Sequence, residues 1–161
     1  MQFRIQIRRN KPKYPFLVCS SLIFITNILT AYYKQDFIYS SLFFSLTVTS
    51  VLFHSNPNIY LNIIDKISIF SIFLYGSYQL YQKISQKISQ KISQPMTQLI
   101  TAGYSIQILL IIAAFLATIY LYFYGYWFQK YCFHENQQTG DQYHSLVHLI
   151  GSIGHQLILF L

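Results

Sequence analysis

The chain reads as all-α: a polytopic membrane helix bundle of about five transmembrane helices. Three observations carry that reading. Apolar residues make up 53% of the 161 positions and charged residues only 9%, whereas roughly a quarter of a soluble domain is charged. The apolar residues fall into runs of about twenty, the length a helix needs to cross a bilayer core. Basic residues flank those runs: five of the eleven lysines and arginines lie in the first thirteen positions, as at a membrane edge. That clustering also argues against nucleic acid as a partner despite the net charge of +7, because a nucleic-acid surface spreads its cations along one face. Cys19 and Cys132 lack the spacing of a disulfide framework or a thiolate zinc site.

The whole chain, 1–161, forms a single transmembrane domain on this reading. A basic segment, residues 1–15, precedes a first span at about 16–33. The span is retained, since its apolar run is long and no small-residue cleavage pattern follows. Lys34, Gln35 and Asp36 form a turn before the second span, 37–55. Ser55-Asn56-Pro57-Asn58 is a turn signal with a proline suited to starting the third span, 58–81.

The tetrapeptide KISQ then repeats three times over 83–94. A period of four keeps Lys83, Lys87 and Lys91 on one stripe, as in a helical extension, an interfacial helix or a solvated basic linker halted before Pro95. The stretch 99–128 is taken as one span, because two crossings need about forty residues and a turn. Its cluster Tyr120, Tyr122, Tyr124, Tyr126 and Trp127 has the composition of an interfacial belt. Residues 130–142 are expected to form a polar loop with His134 and Glu135 solvated. Asp141 is expected to cap the final span, 143–161.

The basic N-terminus places the start of the chain on the cytoplasmic or equivalent side. The second span then ends, and the third and last begin, on that same side. Ser50, His54, Asp65, His144 and His148 therefore arrive at one membrane face. His144 and His148 are four apart, on one side of a helix, where two imidazoles can share a metal ion. With His54 they make three neutral imidazoles and one open position, the arrangement of a catalytic zinc site. Asp65 is placed to orient a bound water or carry its proton. Ser50, one turn deeper than His54, is placed to hydrogen-bond that water or a developing oxyanion.

Each residue also has a plainer reading. Ser50 can be a packing hydroxyl bonded to its own backbone, His54 an interfacial histidine, and His144 with His148 a wet helix start. His155 lies on the same face as His148 but about 10.5 Å further along the axis, too far to share its metal. A buried hydrogen bond, a place in a proton or substrate path, or simple packing suits it better. Gly151 and Gly154 are expected to permit close helix approach.

The segments TSVLFHSNPNIYLNIIDKISIF and YHSLVHLIGSIGH resemble the CREST superfamily of membrane proteins. That superfamily includes alkaline ceramidases, progestin and adipoQ receptors, a GPI-lipid remodelling branch and myomaker-like proteins. The shared pattern is Ser-x3-His, here Ser50 and His54 preceded by Phe53, then Asp65, then His144-x3-His148. The resemblance covers about 47–70 and 143–156, and the chain departs from it in having five expected spans where the family core has seven. It implies zinc at His54, His144 and His148, with Asp65 and Ser50 beside the bound water. The implied activity is that of a zinc-dependent, ceramidase-like membrane hydrolase of a lipid amide or ester, with a membrane lipid as substrate. Two alternatives stand beside it. One is a non-catalytic accessory subunit of a larger membrane protein complex, keeping the metal site for structure; the other is a receptor built on the same core. All three place the chain as an integral, multi-pass membrane protein.

Overall fold

A computed structural model describes residues 15–93 and 98–161, with side chains described for 16–89 and 103–161. Residues 1–14 of the basic segment, the Lys91 side chain of the lysine stripe and the expected stop at Pro95 lie outside what is described. Every regular element among the described residues is helical: α1 (Pro15–Ser21), α2 (Phe24–Tyr33), α3 (Phe37–Ser55), α4 (Ile59–Ser93), α5 (Gln98–Ile119), α6 (Gly125–Phe128) and α7 (Gln137–Phe160). A π-helical turn, Tyr120–Tyr124, joins α5 to α6, and a 3-10 turn, Tyr131–Phe133, precedes α7. The chain is thus an all-α bundle.

The first apolar run is not one straight helix. Ser20 and Ser21 both donate their hydroxyls to the carbonyl of Leu17, each at 2.9 Å. Such side-chain bonds compete with the backbone ladder and bend helices. The next turn tightens: Leu22, Ile23, Ile25 and Thr26 each donate their N–H to the carbonyl three residues back, the 3-10 pattern. The helix resumes at Phe24.

Its end is a Schellman turn. Gln35 takes the left-handed conformation at φ 60°, with Asp36 N–H on Ala31 O and Gln35 N–H on Tyr32 O. Asp36 then caps α3 by accepting from Tyr39 N–H at 3.0 Å. Its carboxylate also accepts from Tyr75 Oη at 2.9 Å and Gln79 Nε2 at 2.7 Å, pinning the start of α3 to the middle of α4. At the start of α4 the cap is Asn58, whose side chain accepts from Leu61 N–H at 2.9 Å. Pro57 therefore sits before the cap, not inside the helix.

The lysine repeat continues α4 without a break as far as Ser93, so the helical-extension reading is the one observed. Its 35 residues span about 52 Å at 1.5 Å per residue, well beyond a bilayer core of roughly 30 Å. Lys83 reaches back to donate to Leu159 O at 3.3 Å, and Tyr104 Oη donates to Lys83 O at 3.2 Å. The first copy of the repeat is thereby tied to the ends of α7 and α5.

The run 98–128 is one continuous helical path, as expected for one span. After it the chain turns at Gln129, in the left-handed conformation, and folds back on Gly125, where a Cβ would lie 2.7 Å from Lys130 O; only glycine fits there. The polar loop is shorter than expected. Asn136, not Asp141, caps the last helix by accepting from Thr139 N–H at 3.2 Å, so α7 starts at Gln137 rather than near 143. Asp141 is buried in the second turn of α7. His134 and Glu135 are exposed as expected.

Four helical stretches are long and apolar enough to cross a membrane: Phe16–Tyr33, Phe37–Ser55, Ile59–Ser89 and Gly103–Phe133. α7, the expected fifth span, is not among them. The reason is its buried stripe of Asp141, Ser145, His148, Ser152 and His155, spaced three and four apart on one face. α7 packs against α1, α2, α4 and α5, and its histidines reach α3. The other helices turn large apolar side chains outwards, among them Leu29, Phe44, Phe70, Leu109 and Phe123. This distribution suits an apolar surrounding with a polar axis inside.

Along that axis Asn27 is fully buried. It donates to Ser152 O at 3.0 Å and accepts from Ser152 Oγ at 2.5 Å. Asn27→Ala is expected to destabilise the bundle by roughly 1–2 kcal/mol. Ser152→Ala added to it should cost little more, because the shared bond is already gone. Unfolding of both single variants and the double variant in mixed micelles checks this; strictly additive losses would contradict the pairing.

Candidate metal centre

The far end of α3 meets the near end of α7, and three imidazoles converge there. His54 lies on the last turn of α3, and His144 and His148 lie one turn apart on α7. Their ring centroids form a triangle: 5.1 Å from His54 to His144, 5.5 Å from His54 to His148, and 5.0 Å from His144 to His148. One ring nitrogen from each lies within 4.8 Å of the other two. Tetrahedral ligands about 2 Å from zinc stand a little over 3 Å apart, so modest ring rotations close the gap. The donor set fits zinc in kind as well: three imidazoles leave an open fourth position.

The surroundings hold the rings in place. His148 is buried, with Phe24 packed on its ring at 5.3 Å. Its Nδ1 lies 3.0 Å from Ser20 Oγ. Phe53 packs on His54 at 5.2 Å. Tyr122, carried by the π-helical turn, stands edge-on to His144 at 6.3 Å. Lys66 Nζ sits over the Tyr122 ring at 4.7 Å, so this lysine is engaged with an aromatic ring and not only beside its neighbour Asp65. π-helical turns within α-helices are frequent at functional sites.

Asp65 and Ser50 are both buried, at 4% and 1% exposure. Asp65 lies outside the three-histidine group. Its Oδ1 lies 3.4 Å from Thr49 Oγ1, a hydroxyl shared with Leu46 O at 3.2 Å, which places the carboxylate against the last turns of α3, next in sequence to Ser50. Ser50 Oγ lies 3.0 Å from Ser21 Oγ. Either hydroxyl can be the donor in that pair; donation from Ser50 through Ser21 to Leu17 O would leave Ser50 its lone pairs for a ligand.

His155 belongs elsewhere. It is buried and its Nδ1 bonds Tyr39 Oη, with Phe43 and Phe115 against its ring at 5.3 and 5.6 Å. Gly76 is required beside it, because a Cβ there would lie 2.8 Å from His155 Cε1. A cavity of about 360 Å³, lined by residues including Lys34, Asp36, Gln79 and Lys83, opens at the Asp36 end of the bundle. It contains none of the predicted site residues.

The sequence reading missed Ser20, Ser21, Asn27 and Tyr122. Only Asn27, a lone amide in an apolar run, carried a legible signal. Compared with known protein families, curated proteins and solved structures, the chain returns no match.

Tyr39→Phe is expected to destabilise the protein by roughly 1–3 kcal/mol, by leaving His155 Nδ1 buried without its partner. Metal content should not change. A thermal or denaturant melt read alongside metal analysis checks both halves, and metal lost with the hydroxyl would join His155 to the centre.

Proposed function

We propose that the chain is an integral, multi-pass membrane protein whose His54, His144 and His148 hold zinc. We further propose that it hydrolyses an amide or ester bond of a membrane lipid, as its CREST-like pattern suggests. One observation carries the reading: three imidazole nitrogens from distant parts of the chain lie within 4.8 Å of one another, at one end of a bundle with apolar outer faces. A lone buried histidine is ordinary; three that converge across two helices have metal binding as their simplest purpose.

Zinc bound there would supply a Lewis acid and an acidified water. The residues of the chain would do the rest. His148, held between Phe24 and Ser20, keeps its ring oriented without ordering on binding. Asp65, against the turns that carry Ser50 and His54, accepts the proton of the attacking water. Ser50, its hydrogen given to Ser21, offers lone pairs that orient that water. The apolar outer faces let a lipid approach from the side.

A second reading, an accessory subunit that keeps the metal site for structure, is favoured by one feature. Of the described side chains of α5 only Ile111 is buried, so most of that helix is open to a partner chain or to lipid.

Purified protein is expected to contain one zinc per chain, lost in His54→Ala, His144→Ala and His148→Ala. With a panel of amide- and ester-linked lipids in mixed micelles, Asp65→Asn should lower turnover by a factor of roughly 10² to 10⁴ while keeping the metal. No stoichiometric metal, with His144→Ala indistinguishable from the unaltered chain, sinks the metal reading. Full metal with no turnover of any lipid favours the subunit.

A further inference from the structure

The two serines at the break between α1 and α2 are built as a clamp on the metal centre. Both give their hydrogen to the same acceptor, Leu17 O, at 2.9 Å. A hydroxyl has one hydrogen and two lone pairs. With the hydrogen spent on a carbonyl, each serine can only accept from its second partner. For Ser21 that partner is Ser50 Oγ at 3.0 Å, and for Ser20 it is His148 Nδ1 at 3.0 Å. Accepting from Nδ1 requires the hydrogen of neutral His148 to sit on Nδ1, which leaves the Nε2 lone pair for a metal. Histidine ligands are commonly fixed this way, by a bond from the nitrogen that does not bind metal.

The local fold supports the assignment. Ser20 and Ser21 are adjacent, so an undistorted helix directs them about 100° apart. One faces α7 and the other α3, and each meets a residue of the site. The tightened turn at Leu22–Ile23 follows from the same two hydroxyl bonds.

We infer that Ser20 is a positioning residue for the metal centre, selecting the tautomer of His148 that presents Nε2 to the ion, with Ser21 holding Ser50 in the same way. This rests on the metal reading above.

The test compares two substitutions of nearly equal shape in the full-length chain, Ser20→Thr and Ser20→Val. Each is purified in detergent, titrated with zinc against a competing chelator, and loaded with cobalt for its visible ligand-field spectrum. Loss of such an outer partner typically weakens metal affinity by about 10–100-fold. Ser20→Val is therefore expected to bind zinc in that measure more weakly, with an altered cobalt spectrum, and Ser20→Thr to stay within about threefold of the parent. A merely structural serine would leave the spectrum alone and would not separate threonine from valine. Equal affinities and spectra for the two variants overturn the inference and leave the metal site standing. An unaltered chain that binds neither ion overturns the metal reading and the inference together. Should both variants lose the fold, Ser20→Ala and Ser20→Cys, smaller than valine, are compared by the same titration; equal affinity of Ser20→Ala with the parent overturns the inference.

Discussion

Everything in this bundle follows from the need to satisfy the polar stripe of α7. Asp141, Ser145, His148, Ser152 and His155 lie along one face of a helix surrounded by apolar ones. A buried polar group without a partner costs about 1–3 kcal/mol, and more where no water can reach. Three neighbouring helices carry a matching group at a matching height, while Ser145 turns back to Asp141 O in its own helix. α1 brings Ser20 to His148, α2 brings Asn27 to Ser152, and α3 brings Tyr39 to His155. Between apolar helices in an apolar medium, burial gives little selectivity, and small side chains with directed hydrogen bonds set the packing. The register of the bundle is written in these pairs.

The two ends of the axis differ in chemistry. At the Asp36 end the polar groups lock to one another: the carboxylate takes three donors from α3 and α4, and Lys83 is fastened to the end of α7. At the His54 end three histidines from two helices gather instead, with one ring nitrogen of each within 4.8 Å of the others.

The legible part of the fold was the part that depends on runs and breaks. The bounds of α3 follow from an apolar stretch between Asp36 and Asn56. The continuity of 98–128 follows from the absence of any turn signal. The start of α7 was misplaced because Gln137–Gln142 is polar in composition, yet helical once Asn136 caps it and Gly140 and Asp141 are buried. The break after Ser21 left no trace in hydropathy, since it arises from hydroxyl bonds that cost no apolar residue. Among the candidate residues, the convergence of His54, His144 and His148 was legible through spacing and the parity of the helices. Ser20 and Tyr122 were not, because a serine or tyrosine in an apolar run looks alike whether it meets lipid or a histidine.

The sequence by itself determined that the chain is helical, that its outer surface is apolar, and which histidines could meet at one end of the bundle. These are consequences of composition, run length and helical period, all local properties. The tertiary structure alone decided which way α7 turns its polar stripe and which residues of α1, α2 and α3 meet it. Those depend on the rotation of each helix about its own axis. That rotation is set by hydrogen bonds between residues far apart in the chain, and no local pattern encodes it.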